Sequence, residues 1–230
     1  MIARSLMTST GAVISACRAV MEATLSAPCP VCERPHDFWR AGVCLSCWDE
    51  VIESRNAPVP GGRLIATLTT IGPYEGRLAG IVRCFKFRGL AGLAVPLGER
   101  IARRLLATPL PCDLVIPVPL HWRRAWSRGY NQADLLARRI ARTLGCRLDR
   151  HAMVRRRSTP PQTGRPRRAR VANVRGAFGI RVGVRGRSIL LVDDVVTTGV
   201  TVRECARELM RAGAAEVHVA AVSRTPSRRF

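Results

Sequence analysis

Three features of the 230-residue chain predict an α/β fold, a doubly wound parallel sheet with a small cysteine-rich unit ahead of it. Two apolar runs, Leu114 to Pro119 and Ile189 to Val192, each precede a segment whose apolar residues recur at helical spacing, the alternation expected of strand-to-helix units in a parallel sheet. An arginine-rich insertion lies between these two units. Near the amino terminus stand two Cys-x-x-Cys pairs, outside either unit.

Residues 1–27 predict a short packing helix, because Val13, Ala16, Cys17, Val20 and Met21 share one helical stripe. Arg18 and Glu22 interrupt the apolar stretch well before the length of a membrane span or a secretory signal, so a cytoplasmic protein is expected. A transit peptide is the alternative, since the first 21 residues lack acid.

In residues 28–56, Cys29-Pro-Val-Cys32 and Cys44-Leu-Ser-Cys47 place four thiols in two pairs with eleven residues between them. Four thiolates at this spacing suit tetrahedral Zn²⁺ with every position filled, a structural site that leaves no place for a catalytic water. A redox dithiol is the other reading of such a pair. Nine cysteines without a secretory signal argue for metal and free thiols before disulfides. The expected unit is a four-cysteine zinc ribbon with a core separate from the main sheet. His36 reads as a surface residue, Cys84, Cys112 and Cys146 as buried thiols, and Cys205 as part of a helix stripe.

Asn56 to Gly62 is rich in proline and glycine and reads as a boundary, which leaves residues 63–230 for the main domain. Leu64 to Gly72 has strand composition, and Tyr74 to Arg88 leads into a helix containing Leu97, Ile101 and Leu105. The strand at Leu114 is ended by prolines and followed by a basic loop with His121, Arg123, Arg124, Arg128 and Gly129. Ala133, Leu136, Ala137, Ile140, Ala141 and Leu144 then share one helical face, and Gly145 stops that helix. After Gly199 the apolar positions Val202, Cys205, Ala206, Leu209 and Met210 repeat at helical spacing up to Gly213. Val217, Val219 and Ala221 predict a final strand.

Chemistry is concentrated where the run Ile189 to Val192 ends. Asp193 and Asp194 emerge at the carboxyl edge of the expected sheet, where ligands of open α/β sheets bind. The backbone N–H groups of Val195, Val196, Thr197, Thr198, Gly199 and Val200 can point into one concavity, reinforced by the positive end of the following helix. Thr197, Thr198 and Thr201 add hydroxyls, and Gly199 lets the backbone approach a phosphate without an intervening Cβ. Adjacent carboxylates suit a vicinal diol, or a hydrated Mg²⁺ bridging it. An ordinary strand with a capped helix is the bland alternative, and it rarely places two carboxylates beside three threonines and a glycine.

The formal net charge is +22, and of 38 basic residues all but Lys86 are arginine. Twelve arginines and no acid fall between Arg150 and Val192. Such a field steers pyrophosphate, a nucleotide or a nucleic-acid backbone, which all offer clustered phosphate oxygens to guanidinium groups. A solvated basic surface is equally compatible. Aromatics make up 5% and do not interleave with the arginines as a single-strand stacking platform requires, and no helix-turn-helix or RNA-binding signature is present.

Val192 to Thr201 resembles the PRPP motif of type I phosphoribosyltransferases. The wider chain, residues 28 to 226, is identified as resembling the ComF family. The matching residues are the paired cysteines; Tyr74 with Lys86-Phe-Arg-Gly89; Pro117-Val-Pro-Leu120 with Arg128-Gly-Tyr-Asn-Gln132; and Gln162, Arg170, Asn173-Val174 and Gly176-Ala-Phe178. The resemblance implies a sheet of the type I phosphoribosyltransferase kind, a basic hood at about residues 147–178 and an amino-terminal zinc ribbon. It implies a pyrophosphate loop at Pro117, Val118 and Pro119, where a cis Val118-Pro119 bond costs little. Lys86 and Arg128 would meet a Mg²⁺-bound pyrophosphate, Val195 to Thr201 a 5-phosphate, and Asp193 and Asp194 the ribose hydroxyls. Val200 stands in place of the second glycine of the usual Thr-Gly-Gly-Thr ending, and the hood carries no recognisable base-binding signature. Two functions follow from the resemblance. One is an enzyme transferring ribose 5-phosphate from PRPP to an unnamed acceptor, in nucleotide or base salvage. The other is a nonenzymatic protein of DNA uptake that handles single-stranded DNA with competence-machinery partners and uses the same pocket for a phosphoribosyl ligand.

Overall fold

The computed structural model describes residues 28–35, 39–51, 53, 59–120, 129–157 and 174–226. The expected helix within residues 1–27, His36, Arg128 and the hood from Gln162 to Asn173 lie outside them. In chain order the elements are β1 (Trp39–Arg40), β2 (Val43–Cys44), α1 (Leu45–Asp49), β3 (Val59–Pro60), β4 (Thr67–Pro73), α2 (Gly76–Phe87) and, after a single 3₁₀ turn, α3 (Ala94–Ala107). Then follow β5 (Leu114–Pro117), α4 (Gln132–Leu144), β6 (Met153–Arg155), β7 (Phe178–Ile180), β8 (Ser188–Val196), α5 (Val200–Arg211) and β9 (Glu216–Arg224).

The main sheet has the order β3-β4-β9-β8-β5, with β4, β9, β8 and β5 parallel and β3 antiparallel at one edge. Strand alternation separates two cores. Ile189 and Leu191 of β8 join Val202, Cys205 and Leu209 of α5, whereas Leu190 and Val192 join Ile81, Phe85, Leu97, Ile101, Leu136 and Ile140 of α2, α3 and α4. Helices therefore cover both faces, which is why β5, β8 and β9 read as nearly continuous apolar runs. Asn131 caps α4 by accepting the Ala133 N–H at 3.1 Å, and Gly145, at φ 68°, ends it in the left-handed region.

Three sequence expectations are corrected. Tyr74 to Arg88 is for the most part a helix in its own right, α2. Val59 and Pro60, within the supposed boundary segment, pair with Leu68 and Thr67 as an edge strand, a place where proline is tolerated. Finally, the cysteine-rich segment has no core of its own: Cys29, Val43, Cys44, Cys47, Trp48 and Val51 belong to the cluster under α2, α3 and α4. So short a segment cannot enclose Trp48 unaided, and it borrows the helices to do so. Arg100 of α3 lies 5.3 Å from the Trp48 ring centre and pairs with Glu53 at 2.7 Å; Arg40 pairs with Glu99 at 3.1 Å. Cys84 and Cys205 are buried as expected, while Cys112 and Cys146 are only half-buried.

β6 and β7 form an antiparallel ribbon, Arg155 opposite Phe178, at the two feet of the basic insertion. Met153, Val174, Ala177 and Phe178 seat that ribbon in the core beneath α5. Among the described residues no helix is long and apolar enough to cross a membrane.

Candidate functional site

The carboxyl ends of β5 and β8 lie side by side, Pro117 opposite Val192, and the Val118 N–H donates to the Val192 carbonyl at 2.8 Å. This register brings Pro117, Val118 and Pro119 to the acidic pair. The Asn131 side chain donates to the Val118 carbonyl at 3.2 Å, tying the loop to the start of α4. No cis peptide bond occurs among the described residues, so Val118-Pro119 is trans.

β8 runs past Val192 to Val196, which places both carboxylates within the last turns of the strand rather than beyond it. They have different partners. The Lys86 ammonium lies 2.9 Å from Asp194 Oδ1, with side-chain exposures of 18% and 14%. Asp194 Oδ1 also accepts the Val195 N–H at 2.6 Å, and Asp193 Oδ1 accepts the Asp194 N–H at 2.8 Å. Burial, and then the neighbouring Asp194 charge, push the Asp193 carboxyl up to about 7, while Lys86, the Asp194 N–H and Arg155 pull it down.

Asp193 lines a small cradle with Val195, Val196, Thr197, Thr198, Gly199, Val200, Thr201 and Val202. Gly199 has φ 71°, a conformation costly for any residue with a Cβ, and as the N-cap residue it brings no side chain to the N–H groups of the first turn of α5. Thr197 is exposed, and Thr198 and Thr201 are half-buried. Val200 is the first residue of α5, with no positive φ, so its replacement of a glycine is accommodated as helix. The cradle therefore combines open N–H donors, hydroxyls and a helix N-terminus beside a carboxylate, a set suited to a sugar phosphate.

Against α2 the four cysteines meet. Their sulfurs all lie within 4.8 Å of one another, with Cys29 to Cys47 at 3.9 Å and Cys32 to Cys44 at 3.7 Å. Burial and the adjacent thiols push Cys47 up and burial raises Cys44, whereas Cys29, against its burial, is brought down to about 7 by backbone N–H groups of Cys44, Val31 and Cys32; four thiolates this close repel one another and need a cation among them. The cluster is able to hold a metal ion.

A phosphoribosyl transferase domain model matches residues 131–230, the stretch that contains α4, β8, the cradle and α5. The DNA utilization protein YhgH of Escherichia coli O6:H1 is 38% identical over 205 residues, covering 86% of this chain and 84% of that protein. Competence protein F of Haemophilus influenzae is 36% identical over 167 residues, covering 68% of this chain and 72% of that protein. The chain belongs to the ComF family. Competence protein ComFC of Bacillus subtilis is more distant, 26% identical over 204 residues that span 88% of this chain and 80% of its own. This ComF protein has the phosphoribosyltransferase-like α/β fold, with its four-cysteine cluster at the amino-terminal side.

Of the site residues expected from sequence, the ComF fold gathers Lys86, Asp193, Asp194, Pro117 to Pro119 and Val195 to Thr201 at one sheet edge; Arg128 lies outside the described residues. Sequence reasoning gave no role to Tyr130 and Gln132. Tyr130 donates to the Phe85 carbonyl at 2.6 Å and Gln132 at 3.4 Å, which fixes the end of α2 beside Lys86. It also overlooked Arg155, whose guanidinium lies 5.4 Å from the Phe178 ring centre and acts on Asp193 from β6. Glu204 was overlooked too. Only 4% exposed, it accepts the Gly176 N–H at 2.7 Å and pairs with Arg207, holding one foot of the hood to α5. One arginine among twelve carries no individual signal, and Glu204 was hidden in a helix read only for its apolar stripe.

Proposed function

We propose that this ComF protein binds PRPP or a related phosphoribosyl ligand at the β8–α5 cradle, together with Mg²⁺, and serves in the handling of DNA during uptake. The observation that carries the binding reading is the Lys86-matched acidic pair placed directly beside an uncapped helix N-terminus with three threonines. The N–H groups and hydroxyls of Val195 to Thr201 hold the 5-phosphate. Asp193 and Asp194 accept from the ribose hydroxyls and oppose positive charge at the anomeric carbon. Lys86, held beside Asp194, offers its remaining N–H donors to the pyrophosphate, with Arg128 as the second cation, and the Pro117 to Pro119 loop borders that end. Mg²⁺, when bound, supplies charge neutralisation on the pyrophosphate, and the oxygen-only acidic pair suits such a hard cation.

The DNA role is supported by relatives named for DNA utilization and competence and by the concentrated arginine charge. A cytoplasmic setting with single-stranded DNA and competence-machinery proteins as partners fits that role. A phosphoribosyltransferase that turns over on an unidentified acceptor is the second reading. It is favoured by Asp193, since a carboxyl poised near neutrality can take a proton from an acceptor.

The cysteine cluster is proposed to hold zinc. A tetrahedron with Zn–S bonds of about 2.3 Å has edges of roughly 3.8 Å, against sulfur separations of 3.7 and 3.9 Å here.

Equilibrium dialysis against labelled ribose 5-phosphate tests the binding reading: retention by the wild type and loss in Thr198→Ala support it, and equal retention by both overturns it. A pyrophosphate-release screen with PRPP over bases and amines then decides between recognition and turnover.

A further inference from the structure

Helix α2 connects the cysteine cluster to the acidic pair. Its last turn carries Lys86, 2.9 Å from Asp194. Along its length it leans on the cysteine-rich segment: Arg77 in the first turn pairs with Glu50 at 2.7 Å, and the Cys84 thiol in the last turn donates to the Pro30 carbonyl at 3.7 Å. Gly80 faces Val31 across this contact. A Cβ built there would lie 2.7 Å from Cγ1 of Val31, a residue of the first Cys-x-x-Cys turn. Such a distance is below ordinary van der Waals contact, so a methyl at position 80 forces either Val31 or α2 to shift.

We propose that Val31 is a positioning residue for the ligand site: packed on Gly80, it sets where α2 lies and thereby whether Lys86 reaches Asp194. Lys86 is six residues beyond Gly80, about 9 Å along a rigid helix, so a displacement at one is carried to the other. Moving α2 by about 1 Å takes the 2.9 Å contact to nearly 4 Å, outside hydrogen-bond range. The lysine stem does not compensate freely, because it is itself largely buried. Tyr130 and Gln132 hold the same last turn through the Phe85 carbonyl, so α4 and the knuckle together set where Lys86 lies. The knuckle thus belongs to the machinery of the site as well as to the fold.

Lys86 is the only lysine in the sequence, which makes a direct test available. Reductive ¹³C-methylation labels Lys86 and the α-amino group alone, and the signal absent from a Lys86→Arg variant is that of Lys86. Asp194→Asn supplies the reference signal of a released Lys86. The expected result is that Gly80→Ala moves the Lys86 resonance toward that reference at unchanged metal content, and that adding Val31→Ala, which makes room for the new methyl, returns it. PRPP affinity should fall about tenfold in Gly80→Ala, or ~1.4 kcal/mol, and recover in the double variant. Val31→Ala alone loosens the same contact without overpacking, and it serves if Gly80→Ala does not fold. An unmoved resonance in either folded, metal-loaded variant overturns the proposal. The affinity readout rests on the phosphoribosyl reading and the resonance does not. If the wild type binds no PRPP, the pocket reading fails and the resonance alone decides the role of Val31.

Discussion

Asp193 and Asp194 are neighbours in sequence with different charge surroundings. Asp194 is matched by Lys86 at 2.9 Å, and Asp193 is pushed by burial from an ordinary 3.8 to about 7. Between those values the folded chain binds a proton at Asp193 that the unfolded chain has lost. The contribution of this group to stability is therefore greatest below about pH 4 and falls as pH rises toward 7. Denaturant unfolding at pH 5 and pH 7.5 should show wild type losing more stability than Asp193→Asn over that interval; equal losses would contradict the burial account. Lys86, both aspartates and the threonine loop were legible in sequence because their residue types stand in one short segment or in a quoted motif. The motif that contains Tyr130 and Gln132 gave them no role, and Arg155 carried no signal, since each acts across the fold: Tyr130 meets a carbonyl 45 residues away.

Periodicity announced β5, α4, β8 and α5, because each is buried along one stripe or along its whole length. β3 escaped notice: two residues ending in proline carry no alternation, and only pairing with β4 makes them a strand. The cysteine-rich segment was visible as a metal knuckle, yet its dependence on α2 and α3 was not, since Trp48 gives no sign in sequence of which helices cover it. That shared core changes the expected outcome of damage there. Trp48→Ala, at a residue 2% exposed, should cost about 3–5 kcal/mol and lower the melting of the whole chain in one calorimetric transition. Two separable transitions would restore the separate ribbon first expected. Gly199→Ala should cost roughly 1–2 kcal/mol, because alanine is strained at φ 71°; unchanged stability would mean that the loop relaxes into another turn.

For the molecule as a whole, a charge of +22 and a ComF fold raise the question of whether the arginines serve DNA or the pocket. If the hood contacts single-stranded DNA, neutralising Arg165, Arg167 and Arg168 together should flatten the log–log salt dependence of binding by about two units, near 0.7 per lost phosphate contact. Asp194→Asn should leave that slope alone. A triple variant that keeps its slope and loses PRPP assigns these arginines to covering the site. The central claim is that the β8–α5 cradle binds a phosphoribosyl group, and calorimetric titration with PRPP and Mg²⁺ reaches it most directly. Saturable binding by the wild type, weakened by about 1–3 kcal/mol in both Asp194→Asn and Thr198→Ala, is the predicted result; equal affinity in all three proteins, or no binding by any, would contradict it.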